Sequence, residues 1–152
     1  MKDLPAIAAL YTEVDNFLDG LRDPVSRTPG DAIEQKLRIN DQAYFVLAWG
    51  QLESAIDDAC RRAIDKGRNQ RDWRQRRSWS LYNPEDRRLS GLRFEHRAAL
   101  VLDPHAEGRE YSLAMQHYNI RNQIAHGTLL SQRIDVTAVV EQFFVIQGAL
   151  TT

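Results

Sequence analysis

Arg121, Asn122 and His126 are the residues whose types and spacing could do chemistry, and the chemistry they suit is proton transfer at a phosphate. They lie in the run 118–127, which reads as a helix end that stops at Gly127. An imidazole changes charge near neutral pH, a guanidinium is a permanent cation that fits phosphate oxygens, and an amide can orient either. His126 falls in the last turn, where the helix dipole favours positive charge. Arg121 and His126 do not form one flat face, because five helical positions place them roughly 140° apart around the axis and ~7.5 Å apart along it. Asn122 and His126, four apart, share a face, and Arg121 must reach round the helix end to join them. A structural reading competes. In it His126 and Asn122 satisfy the last carbonyls of the helix, and Arg121 pairs with an acid such as Glu53. Ile120, Ile124 and Ala125 are the core-facing neighbours in either case.

Other familiar arrangements are missing. The eight glycines form no GxGxxG and no Gly-Lys-Ser/Thr phosphate loop, and there is no GxSxG elbow and no HExxH. His96, His105, His117 and His126 have no metal-ligand spacing on a shared helix face, so no metal and no cofactor is expected. The lone Cys60 rules out an internal disulfide and reads as a small buried hydrophobe. A second chemical feature is the stretch 68–79, where Arg71, Trp73, Arg74, Arg76 and Arg77 interleave cations with indoles. Guanidiniums pair with phosphates and indoles stack on bases, so these five residues are candidate RNA contacts. The alternative is a solvated loop whose tryptophans pack inward. The net charge of −1 conceals this asymmetry. Residues 61–97 hold twelve basic and five acidic side chains, hence +7, against −8 for the rest.

The elements that must position these groups are helical. Asp3 and Pro5 open a helix with Leu4, Ile7, Leu10, Val14, Phe17, Leu18 and Leu21 on one buried face. Asp19 and the other acids of residues 1–21 make that stretch a mature amphipathic helix and not a signal peptide. Asp23-Pro24 and residues 26–30 break it. A long helix over 31–66 follows, with Ile33, Leu37, Tyr44, Phe45, Leu47, Ala48, Leu52, Ile56, Cys60 and Ile64 inward. Asn40-Asp41 could kink it, Gly50 could mark close helix packing, and Gly67 is a candidate C-cap. Residues 68–85 read as a loop, with or without a short helix, closing on Asn83-Pro84. A helix over 85–102 puts Leu89, Leu92, Ala98 and Leu102 inward. Another starts near Ala106 and ends at Gly127, and Asp135 caps the last, with Val136, Val139, Val140, Phe143 and Ile146 inward. No strand pattern and no repeat is present. At 152 residues, 43% apolar and 27% charged, the chain suits one all-α domain, an up-and-down bundle of four to five helices spanning 1–152. No apolar run approaches ~18 residues, so no membrane span is expected, and a cytoplasmic location follows by default.

Arg121-Asn122-Gln123-Ile124-Ala125-His126 resembles the Arg-x4-6-His motif of the HEPN superfamily (higher eukaryotes and prokaryotes nucleotide-binding). A polar residue directly after the arginine, here Asn122, is typical of that motif. So are small residues around the histidine, here Ala125 and Gly127. The specific likeness covers about ten residues of an all-α chain with one helix after the motif. The helix bearing Trp49 and Glu53 is similar to the one that packs beside the motif in such domains. The resemblance implies a metal-independent endoribonuclease. In it the ribose 2′-hydroxyl attacks the adjacent phosphate at a site shared by two protomers of a homodimer. His126 would be general base or acid, Arg121 would stabilise the transition-state charge, and Asn122 would orient the histidine or a phosphate oxygen, with Glu53 and Tyr118 in support. A toxin or defence effector is one setting for such an enzyme, with a nucleotidyltransferase-like antitoxin as partner. A non-catalytic HEPN-like module binding RNA, nucleotide or protein is the alternative, and an unrelated helical interaction protein is a third.

Overall fold

The spacing of apolar residues at threes and fours is realised as helix along the chain. The computed structural model describes residues 1–22, 30–82, 89, 91–105 and 109–150. Among these residues there are six helices and no strand: α1 (Leu4–Gly20), α2 (Gly30–Arg68), α3 (Trp73–Trp79), α4 (Phe94–Val101), α5 (Arg109–Ala125) and α6 (Val136–Leu150). The fold is therefore all-α. The helix beyond the expected four or five is α3, so the described part of the stretch 68–85 is the loop with a short helix and not the plain loop. The expected breaks at Asp23-Pro24 and Asn83-Pro84, and the expected helix starts at Glu85 and Ala106, lie outside the described residues. Two compact units divide the chain. One comprises 1–52 and 116–144, the other 53–115 and 145–152.

In the first unit the core is aromatic. Phe143 of α6 meets Phe45 at 6.5 Å, Trp49 at 6.3 Å and, edge-on, His117 of α5 at 5.0 Å between ring centroids. Helix α2 runs through Asn40-Asp41 and Gly50 without a break. Its inward row is Ile33, Leu37, Asp41, Phe45, Ala48 and Leu52, a three-four repeat in which one position is a fully buried carboxylate. Leu47, expected inward, is 57% exposed, because it lies beside that row and not on it. Gly50 is exposed, and an added Cβ would meet nothing, so it marks no close packing.

Helix α1 also departs from its expected face. Leu4 and Tyr11 are its buried residues, while Leu10 and Phe17 stand 51% and 68% exposed. Tyr11, not Leu10, turns inward because its hydroxyl has a buried partner in Asp41, at 3.0 Å. Asp3 occupies the N-cap position but makes no side-chain cap bond; Pro5 in the first turn fits the helix start without it.

The second unit builds a smaller core on Cys60, Ile64 and Leu89, with Trp79, Tyr82, Leu92, Leu100 and Val101 packed around it. Leu89 is buried as expected but holds a left-handed φ of +46°, so no helix passes through it and α4 begins only at Phe94. Gly67 does not end α2. Its hydrogen is needed because Trp79 lies on it: a Cβ there would stand 2.2 Å from the indole. Cys60 is buried, as expected, and burial pushes its thiol up to about 11.

Candidate active site

The end of α5 is built by its backbone. The amides of His126, Gly127 and Thr128 donate to the carbonyls of Asn122, Ile124 and Gln123 at 3.0, 2.9 and 3.1 Å. Gly127 takes φ +80°, which closes this turn and which a side chain would resist. The paired donations to residues two and three before the cap are those of a Schellman motif. The consequence bears on His126. The carbonyls of Asn122, Gln123 and Ile124 are thus satisfied by main-chain donors, so the imidazole is not needed to cap them. It is exposed and makes no side-chain hydrogen bond among the described residues.

Arg121 stops at its chain neighbour: its guanidinium donates to Asn122 Oδ1 at 3.2 Å and does not reach round the helix end to His126, and both side chains are half-buried. The structure thus brings Arg121 and Asn122 into contact and leaves His126 one turn further on, reaching neither. Tyr118 lies on the buried Trp49, ring centroids 6.1 Å apart. Glu53 accepts from Arg97 at 2.9 Å, and the same guanidinium takes Asp57 at 2.5 Å. Burial raises the Asp57 carboxyl above its ordinary value despite Arg97 beside it. Ala125, expected in the core, is exposed, since the buried row of α5 ends before it.

Two polar groups escaped the sequence reading. His117 is 4% exposed in the aromatic core; its Nε2 lies 2.7 Å from Gln142 Oε1 and its Nδ1 has no partner. With an acceptor at Nε2 the ring is the neutral Nε2–H tautomer, and burial lowers its pKa. The second group is Asp41. It takes Tyr11 Oη, the Arg133 guanidinium through both Nε (2.8 Å) and Nη2 (2.7 Å), and the Ile134 amide (3.0 Å). Arg133 also pairs with Asp15, and Arg38 donates to the Ser131 carbonyl at 3.3 Å. These bonds pin to α1 and α2 the segment that leads from His126 into α6, whose first turn Asp135 caps by accepting from the Ala138 amide. The sequence did carry a signal: an acid at an apolar-periodic position of α2, and a histidine at one of α5. A cleft of about 430 Å³, lined by Tyr11, Asp15, Asn16, Arg133 and Asp135, opens against this network and includes none of Arg121, Asn122 and His126.

In the second unit, Asp72 caps α3 by accepting from the Arg74 amide at 2.9 Å. Arg71, Trp73, Arg74, Arg76 and Arg77 are all exposed, whereas Trp79 turns inward. Among the described residues no three His, Cys, Asp or Glu side chains converge as a metal site requires. None of the described helices is long and apolar enough to cross a membrane. Comparison of the chain with known protein families, with curated proteins and with solved structures finds no match.

Proposed function

We propose that the protein is a metal-independent endoribonuclease of HEPN type, acting as a homodimer in which two α5 ends complete one site. The observation that carries this reading is the release of His126 from structural work: the Gly127 turn closes the helix end with main-chain donors, and an exposed imidazole stands one turn beyond the paired Arg121 and Asn122. A capping or core histidine would be engaged.

In the proposed reaction a neutral His126 takes the proton of the ribose 2′-hydroxyl as its oxygen attacks the adjacent phosphorus. The bond to the 5′-oxygen breaks, and that oxygen takes a proton from the imidazolium of the partner's His126. The products are a 2′,3′-cyclic phosphate and a 5′-hydroxyl. Arg121 stabilises the charge that grows on the phosphoryl oxygens, with its guanidinium held by Asn122 so that little reorganisation is needed. Two copies of one histidine thereby supply both base and acid. A toxin or defence role, with an antitoxin partner, fits such an activity.

The test is incubation of purified wild type, His126→Ala and Arg121→Ala with total RNA, with and without EDTA, reading the chemistry of the ends. Cyclic phosphates from the wild type, lost in both variants at unchanged denaturation midpoints and insensitive to EDTA, are expected. Cleavage that survives both substitutions would sink the proposal. One observation favours the second reading, a module that binds RNA without turnover: among the described residues no side chain orients the His126 ring, whereas general bases are usually held by a third group. Binding that weakens steeply with salt and yields no cyclic ends would select it.

A further inference from the structure

Helix α3 is an exposed cationic element on a fixed mount, and the mount is specific. Trp79 is its one inward side chain, seated over Gly67 where a single added carbon would collide with the ring. Tyr82 packs on Trp79 at 6.1 Å, and Arg68 donates to the Tyr82 carbonyl at 3.5 Å. The only acid of the stretch, Asp72, is occupied as the N-cap.

Everything else on α3 faces water. Trp73 is 59% exposed, and the guanidiniums of Arg74 and Arg77 lie 5.9 and 5.7 Å from its ring centroid. No carboxylate pairs with Arg71, Arg74, Arg76 or Arg77 among the described residues. Arg74 and Arg77, three apart on one helix, repel each other; both lie over the Trp73 ring, a favourable contact that still leaves most of the indole in water. A structural role accounts for Trp79 but not for this face. A ligand that brings anions for the cations and a flat aromatic surface for the indole would relieve both costs.

Resting on the RNA reading above, we infer that α3 is a platform for single-stranded RNA. An unpaired base stacks on Trp73, and the flanking phosphates pair with Arg71, Arg74, Arg76 and Arg77. A duplex offers the phosphates, but its base faces are stacked on one another and closed to an indole, so the platform discriminates against it.

The test uses the full-length His126→Ala protein, so that binding is read without cleavage. Its probes are a short single-stranded RNA, the matching blunt duplex, single-stranded DNA of the same sequence, and phosphatidylserine vesicles. The expected result is tighter binding of the single strand than of duplex or vesicles, with quenching of tryptophan fluorescence that Trp73→Phe removes. Trp73→Ala should weaken single-strand binding roughly 5- to 150-fold, the range found for base–aromatic stacking. Four phosphate contacts predict a slope near −3 for log affinity against log salt, and Arg74→Gln with Arg77→Gln should reduce it by about 1.4. Equal binding of single-stranded DNA supports the platform and places the choice of RNA in the chemistry of the 2′-hydroxyl. Duplex or vesicles held as tightly as the single strand, or a Trp73→Ala variant with unchanged single-strand affinity, overturns it. Because His126→Ala cannot cleave under the proposed mechanism, failure of the platform leaves the cleavage test standing. Failure of the cleavage test leaves this binding result standing.

Discussion

Replacing Arg133 by methionine should destabilise the first unit by about 2–3 kcal/mol, because it takes two of the four hydrogen bonds from the buried Asp41. That carboxylate is 0% exposed and sits in the apolar row of α2. Four hydrogen bonds hold it, and Arg133 supplies two of them, through Nε at 2.8 Å and Nη2 at 2.7 Å. Methionine keeps most of the aliphatic stem but leaves the buried charge with only the Tyr11 hydroxyl and the Ile134 amide. Breaking a buried ion pair from one side costs about 3–5 kcal/mol. The Arg133 side chain is 32% exposed and two donors remain, so the lower part of that range and somewhat less applies. For a chain of this size such a loss lowers the melting temperature by roughly 4–12 °C. Asp15→Asn is the control: it alters only the second, more exposed partner of the Arg133 Nη2, leaves both bonds to Asp41 in place, and should cost less than about 1 kcal/mol. The assay is urea denaturation by circular dichroism, comparing midpoints at constant slope. Equal costs for Arg133→Met and Asp15→Asn would refute the claim that Asp41 is a buried charge dependent on Arg133.

Four further outcomes follow from single features. Gly67→Ala should displace Trp79 and cost about 1–3 kcal/mol by overpacking, with α3 amides losing hydrogen-exchange protection first; unchanged protection would show that Trp79 does not seat there. Gly127→Ala forces a side chain into φ +80° and should cost about 1 kcal/mol, measured by thermal melting; under the proposed mechanism it should also lower cleavage by disturbing the turn that presents His126. In alkali, stability should fall as pH rises through 9.0 and 10.0. The unfolded chain releases the Cys60 and Tyr11 protons at those ordinary values, while the fold holds both groups protonated by burial, with Asp41 adding to it for Tyr11. Tyr11→Phe should flatten the upper part of that slope, and an unaltered slope would count against the assignment. In acid the sign is opposite: the folded pKa of His117 lies below its ordinary 6.5, so the unfolded chain takes the proton first and stability is lost as pH falls below that value. His117→Phe should remove this component from the pH dependence of the urea midpoint.

The helices were legible because their information is local. The rows through Ile33, Leu37, Phe45 and Leu52, and through Val136, Val140 and Phe143, state a helix and its inward face in the spacing alone, and these residues are buried. Asp135 and Gly127 were legible for the same reason, since caps and left-handed turns are chosen by residues within one turn. The row on α1 misled because Leu10 and Tyr11 are both candidates for an inward place, and the choice between them depends on a carboxylate thirty positions away.

The sequence by itself determined an all-α chain, the helix end at Gly127, the Arg121, Asn122 and His126 set on it, and the cationic stretch from Arg71 to Arg77. Only the tertiary structure decided what each polar group is free to do. It gave Glu53 to Arg97, buried Asp41 under Arg133, sealed His117 among aromatic rings, and turned Trp79 inward over Gly67 while leaving Trp73 in water. The physical reason is that hydrogen bonds and burial of polar side chains are settled between elements far apart in the chain, where a buried charge or donor must find a partner. No periodicity names that partner.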